Sequence, residues 1–206
     1  MPVDATIHIV TYIEVAPASS GSGVDLVRRC REAMRSQADN AGADLLRRVE
    51  RDGHFAMVSA WASQSAAEAQ AGAAAVMSAQ AALSPLLLSP CDERTHTGFS
   101  VGPPSATAGA AGVWTLTHVD VIPPRKDDGV ALLARLAEES RREPGCTRFD
   151  VLQQTNRPNH LTVVEAWRDR AAFDAHAAAA HTRHFRAQLA PMSGALYDER
   201  LYAALD

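Results

Sequence analysis

His160-Leu161-Thr162-Val163-Val164-Glu165-Ala166-Trp167 is the stretch that decides the fold. It is rich in branched and aromatic residues, so it reads as a strand. Alternation places Leu161, Val163, Glu165 and Trp167 on one face. The opposite face holds Thr162, Val164 and Ala166 and is also largely apolar. A sheet covered by helices on one side only would leave that second face in water, so something must cover it. The same chain supplies a candidate. His54-Phe55-Ala56-Met57-Val58-Ser59-Ala60-Trp61 repeats the pattern 106 residues earlier, His54 falling on His160 and Trp61 on Trp167.

The register of 106 holds without gaps across most of the chain. Val15-Ala16-Pro17 falls on Val121-Ile122-Pro123, Gly23-Val24 on Gly129-Val130, and Pro85 on Pro191. Asp92-Glu93-Arg94 falls on Asp198-Glu199-Arg200. These matches predict an internal duplication: one repeat over 1–101, a linker over 102–112 and a second repeat over 113–206. The Pro, Gly and Ser content of 102–112 reads as a flexible connection.

Within the second repeat, Trp114 to Ile122 alternates as a strand, and Pro123-Pro124 ends it. Gly129 to Arg141 spaces Val130, Leu132, Leu133 and Leu136 as an amphipathic helix. Glu143-Pro144-Gly145 stops that helix. Thr147 to Gln154 is a strand, and the turn Asn156-Arg157-Pro158-Asn159 joins it to 160–167 as a hairpin. Asp169 is placed to cap a long Ala-rich helix reaching about Ala180. Thr182 is placed to cap a short further helix carrying Phe185 and Leu189. Leu196 to Tyr202 is the last strand. The first repeat follows suit with strands at 7–15, 43–50, 54–61 and 94–101, a helix at 24–35, and an Ala-rich helix from about Ser65. The order β-α-β-β-α-β predicts an α+β fold of two ferredoxin-like repeats, packed sheet to sheet as a pseudo-dimeric α+β barrel.

The composition excludes several classes. Hydrophobic residues are 47% and charged residues 21% of the 206, an ordinary globular balance. A net charge of -4 with mixed signs argues against nucleic-acid or anionic-membrane partners, which select a basic face. No apolar run is long enough to span a bilayer. The N-terminus lacks the basic region and apolar core of a signal peptide, so a cytoplasmic location is expected. Cys30, Cys91 and Cys146 have no metal or disulfide spacing and read as reduced, buried thiols.

Several segments together resemble the antibiotic biosynthesis monooxygenase family. They are Val119-Asp120-Val121-Ile122-Pro123, Glu143-Pro144-Gly145-Cys146, Asn159-His160-Leu161-Thr162-Val163-Val164-Glu165-Ala166-Trp167-Arg168-Asp169, Ala175-His176, and His181-Thr182 ahead of Phe185. The second repeat carries most of this resemblance; the first shares Trp61, His54 and the element order. The resemblance implies paired ferredoxin-like sheets, here covalently joined, with further homodimerisation left open. It also implies oxidation of small phenols or quinols by O2 without metal or flavin. The same barrel type hosts haem-degrading enzymes.

Oxygenation without a cofactor needs an electron-rich substrate, and a phenol becomes one by losing its proton. The site therefore needs a base titrating near neutrality in a mostly apolar pocket, which suits histidine. His176, on the apolar face of the Ala-rich helix, is the candidate base. Glu165 is a candidate to accept a proton or orient His176, and His118, sharing a face with Leu116 and Asp120, could point into a cavity or into solvent. Trp167, which the resemblance turns toward the barrel cavity, could stack a flat substrate. Phe173, Val163 and Tyr197 complete the candidate substrate-binding set, Tyr197 with a hydroxyl to offer. His181 and His184 follow His176, but no carboxylate or cysteine lies in their segment, so no metal is expected.

The first repeat acts as an internal control. Opposite His176, Glu165, His118 and His181 it has Gln70, Ser59, Tyr12 and Ala75, and opposite Phe173, Phe185 and Tyr197 it has Ala67, Ala79 and Cys91. Every candidate for chemistry is thus in the second repeat. The leading expectation is a cofactor-independent monooxygenase using a small aromatic substrate and O2. The rivals are a non-catalytic small-ligand-binding protein and a haem-binding or haem-degrading protein.

Overall fold

A computed structural model of the chain describes residues 6–103 and 112–205. The chain divides into two compact units, residues 1–97 with 204–206, and residues 98–203. Most of the expected linker, 104–111, lies outside the described residues.

The first unit runs β1 (Ile7–Glu14), α1 (Ser20–Arg35), β2 (Asn40–Arg48), β3 (His54–Trp61), α2 (Gln64–Gln70), α3 (Ala74–Leu83) and β4 (Asp92–Ser100). Its strands lie in the order β2-β3-β1-β4, all antiparallel. The second unit repeats the plan with β5 (Val113–Asp120), α4 (Lys126–Ser140), β6 (Cys146–Gln154), β7 (His160–Trp167), α5 (Arg170–Ala178), α6 (Ala180–Leu189) and β8 (Asp198–Ala204). Its order is β6-β7-β5-β8, again antiparallel. Each is a ferredoxin-like α+β unit with the two central strands flanked by the hairpin partner and the last strand.

The two faces of the second sheet are distinct. Val119, Phe149, Val151, Leu161, Val163 and Trp167 pack with Leu133, Leu136, Phe173, Phe185 and Leu189 of the helices. The other face carries Trp114, Leu116, Leu152, Val164 and Ala166, all buried. Burial of both faces explains why β7 lacks the polar alternation of a half-exposed strand.

The repeated glycine has a steric reason. A Cβ on Gly129 would lie 2.6 Å from Val121 Cγ2, and one on Gly23 would lie 3.0 Å from Val15 Cγ1. Helix and preceding strand approach too closely for a side chain there.

Four expectations from the sequence are corrected. In the first unit the Ala-rich helix expected from about Ser65 is two helices, broken at Ala73 (φ -68, ψ 127); in the second unit the two expected helices meet at the equivalent residue, Ala179 (φ -63, ψ 147). Alanine supplies helix propensity but no stop signal, so the break is set by tertiary packing: turning the chain there buries Thr182, Phe185 and Leu189. Thr182 therefore lies inside α6 and does not cap it. The last strand also begins at Asp198 rather than Leu196, which is 92% exposed. Cys30 is buried as expected, but Cys91 and Cys146 are only half-buried.

Candidate functional site

Three local devices of the second unit bring the site together. β7 places Glu165 and Trp167 two residues apart on the helix-facing side. Asp169, just beyond the strand, accepts a hydrogen bond from the Ala172 amide at 2.8 Å and starts α5, which puts His176 over the same face. The third device is the turn after α4. The Glu143 amide donates to Ser140 O at 3.0 Å, and Gly145 has φ 93. A Cβ on Gly145 would lie 2.7 Å from Ala172 Cβ, so glycine is required both by conformation and by contact with α5. Glu143 is thereby held beside His176.

His176 is 4% exposed. Its Nδ1 lies 2.6 Å from Glu143 Oε1 and 3.3 Å from the Thr182 hydroxyl. A carboxylate oxygen accepts, so Nδ1 carries the proton and Nε2 is left as the basic nitrogen. Nε2 points toward Glu165 Oε2, 3.8 Å away. His181, turned back by the break at Ala179, donates from Nε2 to the same Glu143 oxygen at 2.8 Å. The Trp167 ring stacks on the imidazole at 4.5 Å between centroids and donates Nε1–H to Glu165 Oε2 at 3.0 Å. Phe149 meets the imidazole edge-on at 5.7 Å.

Burial sets the electrostatics. It pushes His176 below its ordinary 6.5, against the hydrogen bond and charge of Glu143, which raise it; His181 and Arg186 lower it further. His176 is thus neutral at neutral pH and able to accept a proton. Glu165 is pushed up to about 7, chiefly by burial and also by the Glu199 charge, with Trp167, Thr115 and Arg186 opposing. Tyr197 is pushed above its ordinary 10 by burial and by the charges of Glu165 and Glu199.

Of the candidates read from sequence, His176, Glu165 and Trp167 come together. Phe173 is buried one turn before His176, and Val163 lies on the same sheet face as Glu165. Tyr197 packs edge-on against Phe185 at 6.4 Å with the Arg186 guanidinium 5.6 Å over its ring. Two placements are corrected. His118 lies on the opposite sheet face, where its Nδ1 is 3.3 Å from the Thr162 hydroxyl, because residues 116, 118 and 120 alternate away from 115, 117 and 119. It does not join His176. Trp167 faces the helices, where its ring covers His176 itself. His184 is exposed.

Glu143, Thr182 and Phe149 were not singled out in the sequence. In the sequence Glu143 reads as part of a helix stop and Thr182 as a cap. The one available signal was Glu143 itself: the first repeat has Gln37 there, so the charge is confined to the repeat that also has His176.

The first unit lacks this set. Trp61 donates to Ser59 Oγ at 3.0 Å, repeating the Trp167–Glu165 geometry without a titrating group. Gln70, in the place of His176, is buried. The Trp and its partner two residues earlier are therefore a structural inheritance, and the acid–base groups are particular to the second unit.

Glu165 leads to a stability prediction. An acid raised from 4.5 to about 7 on folding stabilises the fold below 4.5, and that contribution is lost as pH rises to about 7. At about 1.4 kcal/mol per pH unit, the loss is about 3 kcal/mol. Glu165→Gln keeps an acceptor for Trp167 but cannot ionise. In urea titrations, the stability of the variant relative to the parent is expected to rise by about that amount between pH 5 and pH 8. A difference independent of pH would show that Glu165 does not titrate in this window.

Taken together, the chain is a tandem of two ferredoxin-like α+β units, the second of which holds a buried histidine–carboxylate group. The family model for antibiotic biosynthesis monooxygenases matches residues 6–82 and again 115–188. The chain belongs to that family, as a tandem of two of its modules.

A proposed monooxygenase of Bacillus subtilis, YcnE, is 27% identical over 71 residues, which cover 34% of this chain and 75% of that protein. An uncharacterized Synechocystis protein is 36% identical over 59 residues, 29% of this chain. The match spans only 40% of that relative's length. A Fusobacterium nucleatum structure, described as that of a proposed monooxygenase, shares the fold with a TM-score of 0.88. It is 14% identical, and the match covers 100% of this chain and 94% of that one. An anthrone oxidase-like protein shares the fold at a TM-score of 0.75 and 12% identity, over 98% and 92% of the two chains. Among the described residues no helix is long and apolar enough to cross a membrane.

Proposed function

We propose that the chain is a cofactor-independent monooxygenase that oxidises a small hydroxyaromatic or quinol with O2, at one site in the second repeat. The observation that supports this reading is the buried His176, with Nδ1 held by Glu143 at 2.6 Å and Nε2 left as acceptor. Nε2 takes the phenolic proton. The resulting phenolate is electron-rich enough to give electrons to O2. A C–O bond then forms at a ring carbon bearing hydrogen, the O–O bond breaks, and water leaves. In balance, one C–H and one O–H of the substrate plus O2 become two carbonyl groups and H2O. Glu165, raised to about 7 and 3.8 Å from Nε2, relays the proton in this reading. Trp167 and Phe149 keep the imidazole in apolar surroundings.

Oxygen consumption across a panel of naphthols, anthrones and quinols is the test. One O2 per substrate, quinone product and a rate unchanged by a metal chelator are expected. A panel that consumes no oxygen, or uptake abolished by the chelator, refutes the reading.

A second reading has its own supporting observation. Trp167 stacks on His176, occupying one face of the imidazole. A non-catalytic binder of flat aromatics would use that aromatic wall. It predicts thermal stabilisation by the same compounds without oxygen use.

A further inference from the structure

Glu143, His176 and His181 converge on one point, their ligand atoms all within 4.8 Å of one another. They come from three elements: the α4–β6 turn, the end of α5 and the start of α6. We propose that these three residues form a binding site for a divalent transition-metal ion of the zinc class, whose occupancy switches His176 off as a base. The first half stands apart from the catalytic reading; the second half rests on it.

Two imidazoles and a carboxylate are a ligand set that zinc and its neighbours accept, with a fourth position for water. Both histidine nitrogens already point at one oxygen, Oε1 of Glu143, at 2.6 and 2.8 Å. Each of those contacts is held by a proton. An ion bound at about 2.0–2.2 Å from each ligand replaces both protons and, with tetrahedral angles, needs each nitrogen about 3.4 Å from the carboxylate oxygen, roughly 0.6–0.8 Å further than now. His181 can supply that movement. It is the second residue of α6, two residues after the extended Ala179, and its side chain is 22% exposed. Glu143 is 15% exposed, so the ion has an approach from solvent, whereas His176 lies behind them at 5%. The Thr182 hydroxyl, 3.3 Å from His176 Nδ1, adds a further oxygen beside the ligands.

The consequence for His176 follows from imidazole chemistry. The ion takes Nδ1. An imidazole metallated at one nitrogen and neutral overall carries its proton on the other, here Nε2. That is the nitrogen that must accept the substrate proton. Metal binding and proton abstraction are therefore mutually exclusive, and the ion is an inhibitor, not a cofactor.

Calorimetric titration of the full chain with zinc chloride is expected to show one ion bound per chain, with heats that depend on the buffer because protons are released. Glu143→Gln and His181→Ala are each expected to weaken binding by at least about tenfold. His184→Ala, which removes an exposed histidine three residues on, is expected to leave it unchanged. Cobalt(II) should give visible d–d absorption in the parent that both ligand variants lose, while circular dichroism shows them folded. No stoichiometric binding, or equal binding by the parent and both ligand variants, overturns the site. Oxygen uptake tests the second half: saturating zinc should suppress it, and an unaffected rate overturns the switch. A chain that binds zinc with this pattern of variants but consumes no oxygen keeps the site and refutes the catalytic reading instead.

Discussion

Trp167→Ala is expected to destabilise the chain by about 3–5 kcal/mol, the range for emptying a fully buried aromatic position. The ring has no exposed surface. Its removal leaves a cavity among Phe173, Phe185 and the β7 side chains and takes away the donor to Glu165. That carboxyl group would then be buried with one partner fewer, which adds to the cavity term. The repeat supplies a comparison. Trp61 is equally buried and bonded to Ser59 two residues earlier, so Trp61→Ala should cost a similar amount. Denaturant titration of both variants measures this. Only Trp167→Ala should also alter the acidity of His176, because only that ring stacks on an imidazole. A loss below about 1 kcal/mol at either position would mean that the surrounding core collapses onto the gap.

His176→Ala is expected to lower kcat/KM for an active quinol by about 10²–10⁴, the usual contribution of a positioned general base. The pH profile of the parent carries the sign. A base must be unprotonated to act, and burial holds His176 below 6.5, so the rate should fall only on the acid side of that value. Glu143 raises the pKa of His176. Glu143→Gln should therefore move the acid limb to lower pH while lowering the plateau, since the imidazole loses its anchor. A limb unmoved by Glu143→Gln would separate the two residues. Steady-state oxygen uptake from pH 5 to 8 records all three proteins.

The fold was legible because its signals are local and repeated. Strand 160–167 shows its bounds in its own residues, and the ungapped match to 54–61 extends the assignment to the other half. The break at Ala179 was legible to within a residue, because the polar His181-Thr182 follows the alanines there; its equivalent at Ala73 was not, since alanine marks no boundary and more alanines follow it. Part of the site was legible for the same reason. His176, Glu165 and Trp167 follow from helix and strand spacing within one segment. Glu143 comes from a different element, 33 residues before His176, and meets it only because Gly145 brings the turn against Ala172. His118 shows the opposite failure: a strand position was legible, but whether that face met the histidine depended on which side the helices lay.

The central claim is that one repeat carries the chemistry and the other inherits only its frame. Substituting each of the two equivalent residues in turn tests it most directly. His176→Gln writes the first repeat's residue into the second, and Gln70→Ala truncates its counterpart. With oxygen uptake measured on both folded variants, the account predicts that His176→Gln loses at least about 10²-fold in kcat/KM and Gln70→Ala stays within about twofold of the parent. Retained activity in His176→Gln, or a comparable loss in Gln70→Ala, would contradict it.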